Sequence, residues 1–213
     1  MTFHIMRPPT APPIIVAPTR QDAAIVMCGG GDPFAEYARA KELCARAERT
    51  VTIFAGNDMI EKFPEDITHA ITLHPDKLSL WLPRRRAAGL NQPEKVWAHR
   101  NYEGAVTHWT RDWSGSTGLF CIKIARELGF VHIIGCGVHM TVEGAHFIRG
   151  EPWKASDGFR KGWDAHIQDL KPYVRTYGGW TLEQLGEPTE DWLRSEIVDQ
   201  HFVGSRPTVG LKA

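Results

Sequence analysis

The chain has 213 residues, with 25 Lys plus Arg balanced against 25 Asp plus Glu. That length suits one α/β domain, or a domain with a small appendage. A neutral chain has no overall electrostatic pull on DNA or on a membrane surface, so neither a specific nucleic-acid partner nor a membrane partner is expected beyond local basic patches.

No apolar run is long enough to span a bilayer. The opening "MTFHIMRPPTAPP" lacks the apolar core of a signal peptide. The four cysteines, Cys28, Cys44, Cys121 and Cys136, fall inside predicted strands and helices with no CxxC pair. That pattern fits buried thiols in a reducing compartment, and a cytoplasmic location is expected.

In chain order, residues 1–20 form the first unit. The stretch "RPPTAPPIIVAP" at 7–18 is proline-rich and reads as an extended arm. Its Ile14, Ile15 and Val16 offer apolar side chains without internal periodicity. The arm is therefore expected to make intermolecular contacts, in a homo-oligomer or with an assembly partner. Residues 21–204 form one domain, and 205–213 a tail without pattern.

Residues 23–28 read as a buried strand. Residues 33–49 read as a helix, with Tyr37, Ala40, Cys44 and Ala47 at helical spacing and Pro33 suited to a first turn. "TVTIF" at 50–54 is β-branched and reads as strand two. "HAITLH" is strand three. "DKLSLWL" is a helix stopped by Pro83. "KVWAH" is strand four. Residues 117–128 make the clearest helix, with an apolar stripe of Cys121, Ile124, Ala125 and Leu128, an N-cap at Ser116 and a stop at Gly129. "VHIIGC" is strand five, "YVRTYG" a sixth, edge strand, and "TEDWLRSEIVDQ" a terminal helix. The alternation predicts an α/β domain, a mostly parallel sheet with helices on both faces.

Ligands of such sheets bind beyond the carboxyl ends of the strands. Gly29, Gly30 and Gly31 lie there, at the start of a helix, where bare amides suit a phosphate. The alternative is a tight turn that binds nothing, since the full G-x-G-x-x-G fingerprint is absent. Asn57 and Asp58 end strand two and point at the same place. They suit a base edge or ribose hydroxyls, or form a plain turn. Ser114, Ser116 and Thr117 offer hydroxyls, and Gly115 and Gly118 permit close approach, before the strongest helix.

These blocks, "CGGGDPF", "AGND", "GSTGLF" and "GCGVHM", resemble a Rossmann-like family in their order and spacing. The family includes the 6-hydroxymethylpterin pyrophosphokinase-like proteins, bacterial sialyltransferases that use a CMP-sugar, and phage-encoded relatives. "GAHFIRGEPWKASDGFRKGWDAHIQDL" looks like the phage members. The resemblance covers roughly residues 22–170. It implies phosphates at Gly29, Gly30 and Gly31, base or ribose at Asn57, and a nucleotide bordered by Thr117 and Gly118. Its usual acid after the glycine of strand five is His139 here, a departure that counts against metal-dependent transfer.

His139 and His146 follow strand five, with Glu143 between them. Either suits a general base near neutral pH, or a structural role. Three ligand-type residues also suggest a metal, but the spacing matches no strong zinc pattern. His69, His74 and His132 read as packing or edge residues. Arg84, Arg85 and Arg86 could clamp a phosphate or lie on a solvated face. Trp109, Trp113, Trp153 and Trp163 flank the supposed cleft loops, where they would stack on a ligand or meet a protein partner. Two functions follow. One is a transferase moving a sugar or diphosphate from a nucleotide or nucleotide-sugar donor, without a required metal. The other is a phage virion or assembly protein that keeps the fold and not the catalysis.

Overall fold

The computed structural model describes residues 22–102, 104–110, 116–141, 144–148 and 157–197. The proline-rich arm, Ser114, Glu143, Trp113, Trp153 and the tail lie outside them.

The sheet grows from one fully apolar strand. β1 (Asp22–Met27) has alanine, isoleucine, valine and methionine at positions with no solvent exposure. A strand buried on both faces belongs in the middle of a parallel sheet. β1 pairs with β2 (Thr50–Gly56) on one side and with β6 (Ile133–Cys136) on the other. Beyond β2 lie β3 (His69–Thr72), β4 (Lys95–Ala98) and β5 (His108–Trp109). Beyond β6 lies β7 (Val174–Thr176). The order is β5-β4-β3-β2-β1-β6-β7, and every pairing is parallel.

Helices cover both faces. α1 (Pro33–Arg46), α2 (Met59–Lys62), α3 (Leu78–Ala87) and α8 (Glu190–Arg194) pack on the face carrying Ile25, Met27 and Cys136. α4 (Thr117–Glu127), α5 (Asp157–Asp164), α6 (Ile167–Leu170) and α7 (Gly179–Leu185) pack on the face carrying Ala24, Val26 and Phe54. The Rossmann-like α/β expectation holds. No helix among the described residues is long and apolar enough to cross a membrane.

The elements differ from the expectation in five places. "VHIIGC" is the sixth strand, because β5, only two residues long, precedes it. α3 does not stop at Pro83 but continues to Ala87. A proline removes one hydrogen bond of the ladder. The turn after it is held by Arg85, whose buried guanidinium donates to the carbonyls of Phe63, Glu65 and Asn91. α1 ends at Arg46 rather than Arg49, and α8 at Arg194, where Ser195 turns extended. α7 begins at Gly179 without a side-chain cap, so no sequence signal marks it. The caps of α4 are as expected. Ser116 Oγ accepts from the Leu119 amide at 3.2 Å, and Gly129 adopts φ +95°.

Candidate functional site

A cavity of about 910 Å3 opens at the carboxyl ends of the strands. It straddles β1, where the chain order reverses between β2 and β6. That is the position at which open parallel sheets bind ligands. Segments following β1, β2, β3, β4 and β6 meet there with the amino end of α4.

The glycine turn after β1 borders this cavity through Gly29 and Gly30. Its amides are not bare. Gly30 N–H donates to Gly137 at 2.8 Å, and Gly31 N–H donates to Ala145 at 2.9 Å. The α1 amino end is occupied as well: Asp32 Oδ1 accepts from the Ala35 amide at 3.1 Å. Glu36 adds a second carboxylate in the first turn. Two acids at a helix start already satisfy its positive end, and the Gly30 and Gly31 amides are taken, which counts against the phosphate cradle expected at Gly29, Gly30 and Gly31. The missing side chains serve two imidazoles instead. A Cβ on Gly29 would lie 2.5 Å from His146 Nε2, and one on Gly31 would lie 1.9 Å from His139 Cε1.

These two histidines have separate places. His139 does not line the cavity. Its Nε2 is 2.6 Å from Glu36 Oε1, and Glu36 Oε2 accepts from the Gly137 amide at 2.7 Å. The pair ties α1 to the turn after β6, which gives His139 a structural position rather than that of a base. His146 does line the cavity. Residues 144–148 lie across the glycine turn, where Phe147 N–H donates to Gly29 at 2.9 Å and His146 bridges Gly30 in antiparallel fashion. The Ile148 amide donates to His146 Nδ1 at 3.2 Å. In the neutral ring the hydrogen therefore sits on Nε2. That nitrogen faces Asp58 Oδ2 at 3.6 Å. Nδ1 is engaged and Nε2–H is left toward the cavity, an arrangement that suits a donor better than the base expected.

Asp58 is the other half of this pair. Trp81 Nε1–H donates to its Oδ1 at 3.2 Å, and 38% of its side chain is exposed. Asn57, beside it, leaves β2 at φ +51°, a conformation that asparagine tolerates better than most residues. Its Oδ1 accepts from Thr72 Oγ1 at 2.9 Å and Thr117 Oγ1 at 3.2 Å. With the oxygen held from two sides, the NH2 is the end left for a ligand.

At α4, Ser116, Thr117 and Gly118 all line the cavity, as expected. Ser116 Oγ is taken up by the cap and by Trp163 Nε1 at 2.9 Å. The amides of Thr117 and Gly118 open the helix and have no acceptor within it.

The outer rim is cationic. Lys62 and Arg84 both approach Glu61, Arg84 at 3.5 Å. Lys77 lies over the Trp81 ring at 5.9 Å and makes no ion pair among the described residues. The three arginines are thus unequal: Arg84 borders the cavity, and Arg85 is fully buried.

Sequence reasoning missed Glu36, Trp81, Lys77 and Met140. Glu36 reads as an ordinary helix-start acid, and Trp81 as core. Met140, a cavity residue, holds φ +48°, rare outside glycine and asparagine. His74 also lines the cavity, which corrects its reading as a packing residue. Trp163 is corrected in the other direction, from cleft flank to fully buried core. His69 and His132 are buried, as expected. Burial pushes His69 down to about 3 and His132 down to about 4. Among the described residues, no cluster of three His, Cys, Asp or Glu side chains could hold a metal.

Fold and cavity together define an all-parallel α/β protein with a ligand-sized crevice at its switch point. Comparison with known proteins adds no family to that class: no family model, no curated protein and no solved structure matches the chain significantly.

Proposed function

We propose that the cleft binds a nucleotide or nucleotide-sugar, and that the protein transfers a sugar or diphosphoryl group from it. The observation that carries this reading is the convergence of strand ends and the α4 amino end on one cavity of about 910 Å3. That volume lies within the range of small-ligand and cofactor sites. Base or ribose is read by the Asn57 NH2. Phosphate lies toward Lys77 and the Thr117 and Gly118 amides, not at the α1 end, where Asp32 and Glu36 repel it.

In the transfer, His146 Nε2–H donates to the oxygen of the departing phosphate and stabilises the charge that develops there. Asp58 takes the proton of the acceptor hydroxyl as the new bond forms. No step needs a metal.

The test is a thermal-shift screen over CMP, UDP, GDP, ADP and ATP and over CMP- and UDP-sugars, because a ligand that binds only the native state raises the melting temperature. A saturable shift that Asn57→Ala weakens by about tenfold, equivalent to one lost hydrogen bond, supports the reading. A shift with none of them rejects it and leaves the non-catalytic assembly role.

A further inference from the structure

The sulfurs of Cys28 and Cys121 meet beneath the cavity floor. A Cβ on Gly56 would lie 3.1 Å from Cys28 Sγ and 3.2 Å from Cys121 Sγ, so both atoms press on the same point. Any side chain at position 56 would wedge between strand and helix at that point, and the glycine leaves both sulfurs facing the same small space.

We propose that Cys28 and Cys121 form a redox-active dithiol that hydrogen peroxide converts to a disulfide. Access sets the order of events. Cys28 is half-buried and lines the cavity, whereas Cys121 is fully buried on the first turns of α4. A small peroxide reaches Cys28 from the cleft. The Cys28 thiolate attacks one peroxide oxygen; the S–O bond forms, the O–O bond breaks, and water leaves, giving a sulfenic acid. Cys121 sulfur then attacks Cys28 sulfur. The S–S bond forms, the S–O bond breaks, and hydroxide departs with the Cys121 proton as a second water. Two thiols lose two electrons and two protons, and the peroxide is reduced to two waters. Burial and the neighbouring Cys28 push the Cys121 thiol up, so Cys121 is not the group that attacks the peroxide.

The sheet isolates this pair. Cys28 and Cys121 pack on the α4 face, and Cys44 and Cys136 on the α1 face. The latter two have no solvent exposure and serve as internal controls.

The inference does not depend on what the cleft binds. Folded protein is treated with hydrogen peroxide, alkylated and mapped by mass spectrometry without reductant. The expected product is one cross-linked peptide joining Cys28 to Cys121, reversed by dithiothreitol, with Cys28 oxidised at least about tenfold faster than Cys44 or Cys136. Cys28→Ser leaves Cys121 reduced, and Cys121→Ala stops at a Cys28 sulfenic acid that dimedone traps. If Cys121→Ala fails to fold, the wild-type map decides alone. A wild-type protein that halts at Cys28 sulfenic or sulfinic acid, links Cys28 elsewhere, or stays reduced under peroxide that oxidises the unfolded chain overturns the proposal.

Discussion

The imidazole of His146 occupies the space that a side chain on Gly29 would need, with Nε2 only 2.5 Å from the position of that absent Cβ. Gly31 stands in the same relation to His139, at 1.9 Å, and also holds φ +61°. Gly29→Ala should therefore cost about 1–3 kcal/mol by overpacking. Gly31→Ala should cost more, because a left-handed backbone adds roughly 1–2 kcal/mol to the clash. Urea titrations of both variants check the order. Equal costs below about 0.5 kcal/mol, the usual range for surface substitutions, would show that the turn is not shaped by the histidines.

His146 should be found with its hydrogen on Nε2. Nitrogen-15 shifts of the ring report the tautomer directly. If ligand binding uses that donor, His146→Gln, which can place an N–H near the same point, should retain more affinity than His146→Ala. The opposite tautomer, or equal loss in both variants, would return the ring to the role of base.

Stability should fall in acid through the buried histidines. His69 is pushed down to about 3 and His132 to about 4, each chiefly by burial. An unfolded histidine titrates near 6.5, so below that pH the unfolded chain binds protons that the folded one refuses. Their contribution is complete above about pH 6.5 and is lost as pH falls toward the folded values. Between about pH 6 and 4.5, these two groups should make unfolding take up roughly 1.5–1.8 protons, and His69 alone should account for roughly 3–5 kcal/mol by pH 3. Urea titrations against pH measure the slope. His69→Phe should flatten it, although Trp97 Nε1 then loses the ring nitrogen it bonds at 3.0 Å.

The arginine run should separate into different roles. Arg85→Ala leaves the Phe63, Glu65 and Asn91 carbonyls without their donor and should cost at least about 3 kcal/mol. Arg84→Ala, on an exposed side chain, should change stability by less than about 1 kcal/mol. Its effect should appear in ligand affinity, if phosphate lies at the cationic rim. Chemical denaturation and ligand titration of the two variants give the comparison.

What was legible in the sequence was whatever depends on near neighbours along the chain. β1, β2, β4 and β6 show as apolar runs, and α4 shows through its stripe and its Ser116 cap. The placement of Asn57, Thr117 and Gly118 at the cleft follows from their position after strands and before a helix. What was not legible depends on side chains that meet only after folding. Nothing local to Glu36 announces His139, nothing at Gly29 announces His146, and the burial of Arg85 follows from carbonyls about twenty residues earlier. The glycine triplet was misread for that reason. The missing side chains at Gly29 and Gly31 leave space, and the occupants, His146 and His139, come from more than a hundred positions away.

That distance has a consequence for how the site comes into being. The segment 144–148 reaches the turn after β1 through the bonds Gly31 to Ala145 and Phe147 to Gly29 and the bridge at Gly30. Closing so long a loop is favourable only once the strands between are paired, so His146 is set in place late in folding. A segment docked on the turn outside the named strands also has its own opening equilibrium, below the free energy of global unfolding. The domain can then stay folded while its donor is withdrawn. In amide exchange, the Gly31 and Phe147 protons should be released before those of β1, which ranks the latch as the first part of the molecule to let go.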